Sequence, residues 1–504
     1  MKSLNQYVVH YAKTKPDSVF LKYHDLEITY REALELINSV SSYLTESGYS
    51  GEKSVGLLLP NIPEFVISYL SILQAGGRVV LLPIALPPAE LATFINRAEV
   101  ELLIYSEELH NKVAEVESIL NGTVKKVVVG SKQNKDPENF RSLTQNRSLN
   151  TNIFPHNEND EAVIIFTSGT TAFPKGVVLS HDNIISNAEA CSELISFDKE
   201  RRLLAMLPFY YSMGHTVVMN TTLIIGGTLI LSTKFSPENA LFLIKKEKVS
   251  IFAGVPTMFK KIANLPGITE SALSTLKVCI CGGDCLPCST IDFWTKRLNR
   301  VFLEGYGLTE ASPVVSFNQN LTQSKAESIG LPLSCNQMRI VNELGAEVAV
   351  GEIGELQIRG RNVMLRYLED TQNHPSANTD WFSTGDLMRQ DEDDYYYYMG
   401  RESDQISKYG YTIHPKTIED VILKHPKVKE TVAIPLDSTN IHKIKICIVP
   451  EADKEISVEE MFEYARENLP KYLYPDIIQL YKHFPKNCTG KVLRRRLLSE
   501  HLEI

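Results

Sequence analysis

An apolar run, Ala162-Val163-Ile164-Ile165-Phe166, passes directly into the stretch TSGTTAFPKG, residues 167–176. This junction constrains the fold more than any other part of the chain. The run reads as a buried-type strand, and the segment after it is small, hydroxylated and closed by Lys175. Small residues let backbone N–H groups approach oxygens, Thr and Ser hydroxyls add donors, and the lysine adds charge. Those are the parts needed to hold a polyphosphate. The residue after Lys175 is Gly176, so the GxxxxGK[ST] nucleotide loop is not met. Taken alone, the stretch reads equally well as a plain turn after a strand.

Around this junction helix and strand alternate. Thr29-x-x-Glu32 forms a capping box before Leu34, Ile37, Val40 and Leu44 at helical spacing, with Gly48 as the stop. An apolar strand (Val55 to Leu59), a helix opened by Pro63 and a strand (Val79 to Leu82) make one βαβ unit, which predicts a parallel sheet faced by helices. Leu102 to Tyr105 and Val127 to Val129 read as further strands, and Ser131 to Asp160 as a polar connection. From Ile329 to Tyr398 short alternating strands predict a small barrel-like or antiparallel subdomain. Tyr395 to Tyr398 lie in one of its strands, where alternate rings are expected to face the core. The final hundred or so residues read as an α+β unit ending in a basic amphipathic helix.

A chain of 504 residues exceeds one hydrophobic core. The expectation is an α/β protein with a large N-terminal domain of doubly wound sheets, 1–400, and a small C-terminal α+β domain, 401–504, parting near Ser403. The net charge of −9 offers no general basic field, so nucleic acid is not expected as a partner. Anionic ligands must then be met by local sites. The N-terminal stretch has no continuous apolar core, and Leu4, Tyr7, Val8 and Tyr11 fit one face of a short helix; a reducing cytoplasmic setting is expected. Phe65 to Pro87 is interrupted by Gly76-Gly77-Arg78 and Pro83 and does not read as membrane-spanning.

Further motifs follow in order: GYGLTE (Gly305 to Glu310), STGD (Ser383 to Asp386), GRESDQISKYGYTIHPKTIED (Gly400 to Asp420) and PKNCTGKVLRRRL (Pro485 to Leu497). With the loop at 167–176, their order and spacing resemble the adenylate-forming, or acyl-activating, enzyme superfamily over nearly the whole chain. The resemblance implies attack of a carboxylate on the α-phosphate of ATP to give an acyl-adenylate, followed by transfer to a thiol. Two anions must meet in such a reaction, so cations are needed where charge builds up.

The resemblance assigns these positions. Thr167, Ser168, Gly169, Thr170, Thr171 and Lys175 match the mobile loop that handles the β- and γ-phosphates. Glu310 matches the magnesium ligand, and Thr309 a donor to the α-phosphate. Tyr306, followed by Gly307, would stack on the adenine, with Gly282, Gly283 and Asp284 on its other side. Asp386 matches the carboxylate that accepts from both ribose hydroxyls, and Arg401 an arginine that reaches the ribose. Lys491 matches the catalytic lysine that bridges the acid and the α-phosphate, and Gly410 a residue lining the pantetheine tunnel. Plainer readings stand beside several of these. Asp386 also reads as a turn residue, Arg401 as half of a solvated ion pair, and Lys491 as a surface lysine beside Arg494, Arg495 and Arg496. Cys279, Cys281, Cys285 and Cys288 have near-metal spacing, which admits a closed zinc site; the resemblance places an adenine-contacting turn there instead.

The chain departs from its relatives at Ser403 in the hinge, where Asp or Lys is usual and Asp404 comes next. It departs again at Tyr409-Gly410, where Gly-Gly is common, and at Ala172 in the loop. Amino-acid-activating relatives carry an Asp for the substrate ammonium, but Leu207 to His215 (LPFYYSMGH) holds no carboxylate, and an unpaired buried ammonium is costly. That stretch resembles the segment of fatty and aryl acyl-CoA synthetases, with Tyr211 at an aromatic gate position or as plain core packing. Phe235 to Leu265 looks closest to bacterial medium- and long-chain fatty acyl-CoA ligases, and Phe252, Val255, Met258 and Phe259 either line an acyl channel or fill the core. His215 reads as a satisfied structural histidine. The implied acceptor is coenzyme A, with the phosphopantetheine of an acyl carrier protein as the alternative, for which the basic last helix is a candidate docking face.

Overall fold

The computed structural model describes the chain except residues 131–138, 145–153, 156, 168–173, 196–199, 285–287, 319–324, 326, 371–379, 409–410, 437–442, 453, 487–491 and 500–504, and the side chains of 288, 495 and 499. The backbone divides into two compact units, 1–337 with 359–382, and 338–358 with 383–504.

In the first unit a seven-stranded sheet runs in the order Arg366–Tyr367, Gly176–Ser180, Glu161–Phe166, Arg78–Leu81, Ser54–Leu58, Val100–Ser106, Lys125–Val129. Its inner strands are parallel, as the βαβ pattern predicts; Gly176–Ser180 and Arg366–Tyr367 are antiparallel additions at one edge. Both faces are buried. Val55, Val79, Val163 and Ile165 enter one core, while Leu58, Val80, Ile164 and Phe166 enter another. The period of two therefore sorts side chains between two apolar environments, which is why these strands read as unbroken hydrophobic runs. The second core is closed by helices Pro88–Arg97 and His110–Glu117. On the other face lies helix Pro63–Gln74, in which every residue but Glu64 is buried, the signature of a helix packed on all sides.

A second sheet of the same unit orders Ser328–Pro332, Val314–Phe317, Val301–Gly307, Val278–Gly282, Ile251–Gly254, Arg202–Ala205, Thr228–Leu231, Val19–Tyr23 and Leu26–Thr29. Its central strands are parallel. The predicted capping box is present: the Thr29 hydroxyl accepts from Glu32 N–H at the start of helix Tyr30–Glu46, worth about 1 kcal/mol. Within the predicted polar connection a short helix, Phe140–Leu143, buries both of its apolar ends in the core.

Strands Asn336–Val341, Ile353–Gly360, Phe382–Gln390 and Tyr396–Arg401, which fall in the second unit except for residues 336–337, 359–360 and 382, follow one another across a sheet. The tyrosine run departs from simple alternation. Tyr395 and Tyr396, adjacent in sequence, are both buried, whereas Tyr397 and Tyr398 are half-buried. Tyr395 precedes the strand, which starts at Tyr396, so it is not bound by the strand's alternation. Tyr396, Tyr397 and Tyr398 pair regularly with Gln390, Arg389 and Met388, and the register shifts only beyond the run, at Met399. Beyond Arg401 come hairpin Ile406–Lys408/Tyr411–Ile413 and a three-stranded sheet of Val428–Pro435, Ile444–Pro450 and Ile477–Leu480. Helices Pro415–Ile422 and Val458–Asn468 cover it around a core of their own. Among the described residues no helix is long and apolar enough to cross a membrane.

Candidate active site

The segment 167–175 joins two antiparallel strands, with Phe166 opposite Gly176. Its neck is closed by main chain and hydroxyl: Thr167 N–H donates to Lys175 O at 2.9 Å, and Lys175 N–H to Thr167 Oγ1 at 3.3 Å. Ser168, Gly169, Thr170 and Thr171, like Ala172, lie outside the described residues. The arm leaving the loop is held from the side. The Arg97 guanidinium donates to Pro174 O at 2.7 Å, lies 5.5 Å from the Phe166 ring and pairs with Glu369.

At the root of the hairpin Glu161 accepts from two guanidinium groups, Arg78 at 2.6 Å and Arg366 at 2.7 Å, one on each carboxylate oxygen. Burial by itself would raise the Glu161 carboxyl; the bonds from Arg78 and Arg366 outweigh it and hold the group below the ordinary carboxylate range.

Lys175 Nζ stands 4.3 Å from the centroid of the Tyr367 ring, and the Tyr367 hydroxyl donates to Glu310 Oε1 at 3.0 Å. Thr309 precedes Glu310 in a short 3-10 turn, and its hydroxyl lies 3.3 Å from that of Ser212. Tyr367, which the sequence reading missed, thus joins Lys175 and Glu310, which it picked out, and Ser212, likewise missed, meets the adjacent Thr309. Ser212 is the neighbour of Tyr211, whose ring meets that of Tyr210 edge-on at 4.9 Å.

Gly282 and Gly305 are register partners on adjacent parallel strands, and Tyr306 and Gly307 end the second of these. Strand ends of this kind are where open α/β sheets bind ligands. Gly283 has φ +91°, a conformation that favours glycine. At Gly307 a Cβ would come within 2.1 Å of Pro313 O, so any side chain would displace the backbone. Asp284 follows on the exposed side of this turn. Cys279 and Cys281 are fully buried in the core, Cys285 and the Cys288 side chain lie outside the described residues, and burial pushes the Cys279 thiol up.

Phe252 and Phe259 are core residues, with Phe259 set edge-on to Phe252, Trp294 and Phe302. His215 is fully buried, its Nε2 2.9 Å from the Tyr69 hydroxyl and its Nδ1 3.1 Å from Thr216 Oγ1. Burial lowers its pKa to about 3, so it is neutral at physiological pH. This matches the structural role expected of it.

In the second unit Asp386 and Arg401 face each other across adjacent strands, Nε to Oδ1 at 3.1 Å. Asp386 is only 3% exposed and lies within strand Phe382–Gln390, against its plain reading as a turn residue. Lys491 and Gly410 lie outside the described residues. The flanks of Lys491 are described: Lys486 and Val492 form a β-bridge, and Leu493 N–H donates to Pro485 O at 2.8 Å. Arg494, at the start of the last helix, is turned into the protein. It is half-buried, donates to Ala433 O at 2.9 Å, pairs with Glu419 at 2.8 Å, and has Asp404 at 3.6 Å.

A profile of AMP-binding enzymes matches residues 8–368, and one of the AMP-binding enzyme C-terminal domain matches residues 417–491. A long-chain-fatty-acid–CoA ligase of Bacillus subtilis (strain 168) is 31% identical, the alignment spanning 100% of this chain and 95% of that protein. A feruloyl-CoA synthase of an Amycolatopsis species is 27% identical over 98% of each chain. Among solved structures, ATP-bound MatB from Rhodopseudomonas palustris superposes with a TM-score of 0.88 at 24% identity over 98% of each chain, a likeness of fold.

Proposed function

The chain belongs to the family of AMP-binding enzymes, and on that premise we propose that it is an AMP-forming ligase joining a fatty acid to coenzyme A. A carboxylate oxygen of the acid attacks the α-phosphorus of ATP, the bond to the bridging oxygen of pyrophosphate breaks, and acyl-AMP forms. The thiol sulfur of coenzyme A then attacks the acyl carbon, AMP leaves, and the thiol proton passes to solvent.

The observation that carries this reading is the run of contacts Lys175–Tyr367–Glu310, continued by Thr309 and Ser212, at the mouth of a hairpin whose loop has polyphosphate-binding composition. Lys175 and the hydroxyls of Thr167, Ser168, Thr170 and Thr171, with the Gly169 backbone, take the β- and γ-phosphates. Thr309 donates to the α-phosphate. Tyr306 and Gly307, with Gly282, Gly283 and Asp284, take the adenine; Asp386 and Arg401 take the ribose. Lys491, on the 401–504 domain that moves between half-reactions, neutralises the carboxylate and α-phosphate as they approach. Gly410 leaves room for the pantetheine arm.

The donor set around Glu310, one half-buried carboxylate beside two hydroxyls, fits a magnesium ion that takes most of its ligands from phosphate and water. Bound there through Glu310, the ion would neutralise charge on the phosphate oxygens.

A fatty acid is favoured over an amino acid because Leu207 to His215 offers an ammonium no carboxylate. It is favoured over an aryl acid by the full-length similarity to the Bacillus ligase, although the feruloyl synthase keeps aryl acids as the second reading. ATP–pyrophosphate exchange against fatty, aryl and amino acids tests the first step. Thioester formation with coenzyme A and with a holo carrier protein, offered side by side, tests the second. Exchange driven only by amino acids, or none with any acid, overturns the proposal.

A further inference from the structure

The segment Met364 to Leu368 belongs to none of the five motifs, yet it ties the acidic turn to the phosphate-loop hairpin. Met364 N–H donates to Glu310 O at 2.7 Å, Leu365 N–H to Val178 O at 3.0 Å, and Leu368 N–H to Gly176 O at 2.7 Å. Arg366 and Tyr367 lie in register with Val178 and Val177. Arg366 is anchored on Glu161 and also donates to the carbonyls of Tyr367 and Leu368, both at 3.2 Å. The main chain on either side of Tyr367 is thus fixed on both sides of the site.

We propose that Tyr367 is a positioning residue that sets the Glu310 carboxylate and the Lys175 ammonium relative to each other, using its hydroxyl for the one and its ring face for the other. The inference rests on the roles of Lys175 and Glu310 given above. A phenol that donates to one carboxylate oxygen fixes the plane of that carboxylate and leaves the second oxygen's lone pairs available to a cation. The ring face attracts the ammonium at 4.3 Å, inside the range of a cation–π contact. One side chain therefore holds two opposite charges at separate places, hydroxyl tip and ring face, where an ion pair between them would neutralise both.

The test uses the full-length chain, and its readout is the thermal shift produced by ATP as magnesium is titrated from zero. Tyr367→Phe keeps the ring and removes the hydroxyl. The magnesium concentration giving half of the ATP-dependent shift is expected to rise by roughly tenfold, the worth of one hydrogen bond to a charged group. The response to ATP without magnesium stays as in the wild type. Tyr367→Leu removes the ring as well, and the metal-free ATP concentration for half-shift rises by roughly threefold, the scale of a part-exposed cation–π contact. A wild-type magnesium dependence in Tyr367→Phe overturns the hydroxyl's role, and metal-free ATP binding unchanged in Tyr367→Leu overturns the ring's. If Tyr367→Leu fails to fold in the absence of ligand, Tyr367→Phe decides alone. A wild-type chain that shows no ATP-dependent shift at any magnesium concentration overturns the functional reading underneath, together with this inference.

Discussion

The two units hold their candidate site residues by different physics. In the first, Lys175, Glu310 and Thr309 are brought together from distant parts of the chain by strand pairing, an aromatic ring and hydroxyls; Tyr367 and Glu310 are 57 residues apart. In the second, Asp386 and Arg401 are neighbours on a single pair of strands, and the segment after Lys491 is held by charge, Arg494 against Glu419 and Asp404. Burial pushes the Glu419 carboxyl up against the pull of Arg494, so the carboxylate depends on that guanidinium for its charge. A site held by sheet and ring keeps its geometry with little dependence on any one charge. A segment held by a half-buried ion pair loosens when either partner is removed.

The largest effect tests whether the second unit contributes chemistry at all. Lys491→Ala is expected to lower acid-dependent ATP–pyrophosphate exchange by about a thousandfold, the scale of losing one preorganised charge at the reacting centre. The unfolding midpoint stays unchanged. Retained exchange would leave the comparison one of stability alone.

Next comes Arg494→Met, which strands Glu419. It is expected to cost the second unit about 3 kcal/mol in urea unfolding, the lower end for breaking a buried pair. Adding Glu419→Gln in the same chain recovers part of the loss. A single variant with wild-type unfolding would erase the contrast drawn here.

The smallest effect sharpens the comparison from the other side. Glu161→Gln keeps the shape but removes the charge between Arg78 and Arg366, and is expected to cost about 2 kcal/mol at pH 7. Because the folded carboxyl lies below its unfolded value, its stabilisation is complete above the ordinary carboxylate range. It is lost as pH falls through the lowered value. The gap between variant and wild-type melting should therefore begin to narrow below about pH 4 and close only beneath the lowered value. A gap that persists in acid assigns the loss to packing.

Much of the fold was legible because its signals are local. The strand Glu161–Phe166, the capped helix Tyr30–Glu46 and the helix opened by Pro63 each appear where apolar period and capping residues place them. The tyrosine run misled because the strand begins at Tyr396, one residue into the run, and that start is not written in four identical residues. Tyr367 escaped because its strand has two residues, too few for a period, and its partners are remote in sequence. Ser212 escaped because a single hydroxyl carries no pattern; its place beside Tyr211 was the available hint.

Sequence by itself determined the family, the buried parallel sheet and the residue types able to meet phosphates, since periodicity, caps and motif spacing are properties of neighbouring residues. Tertiary structure alone decided that Glu310 leans on Tyr367, that Lys175 rests on the same ring, that Asp386 is buried, and that Arg494 is committed to Glu419. Those facts depend on which distant segments pair and at what register. A contact between residues far apart in the chain exists only once the backbone between them has been folded away.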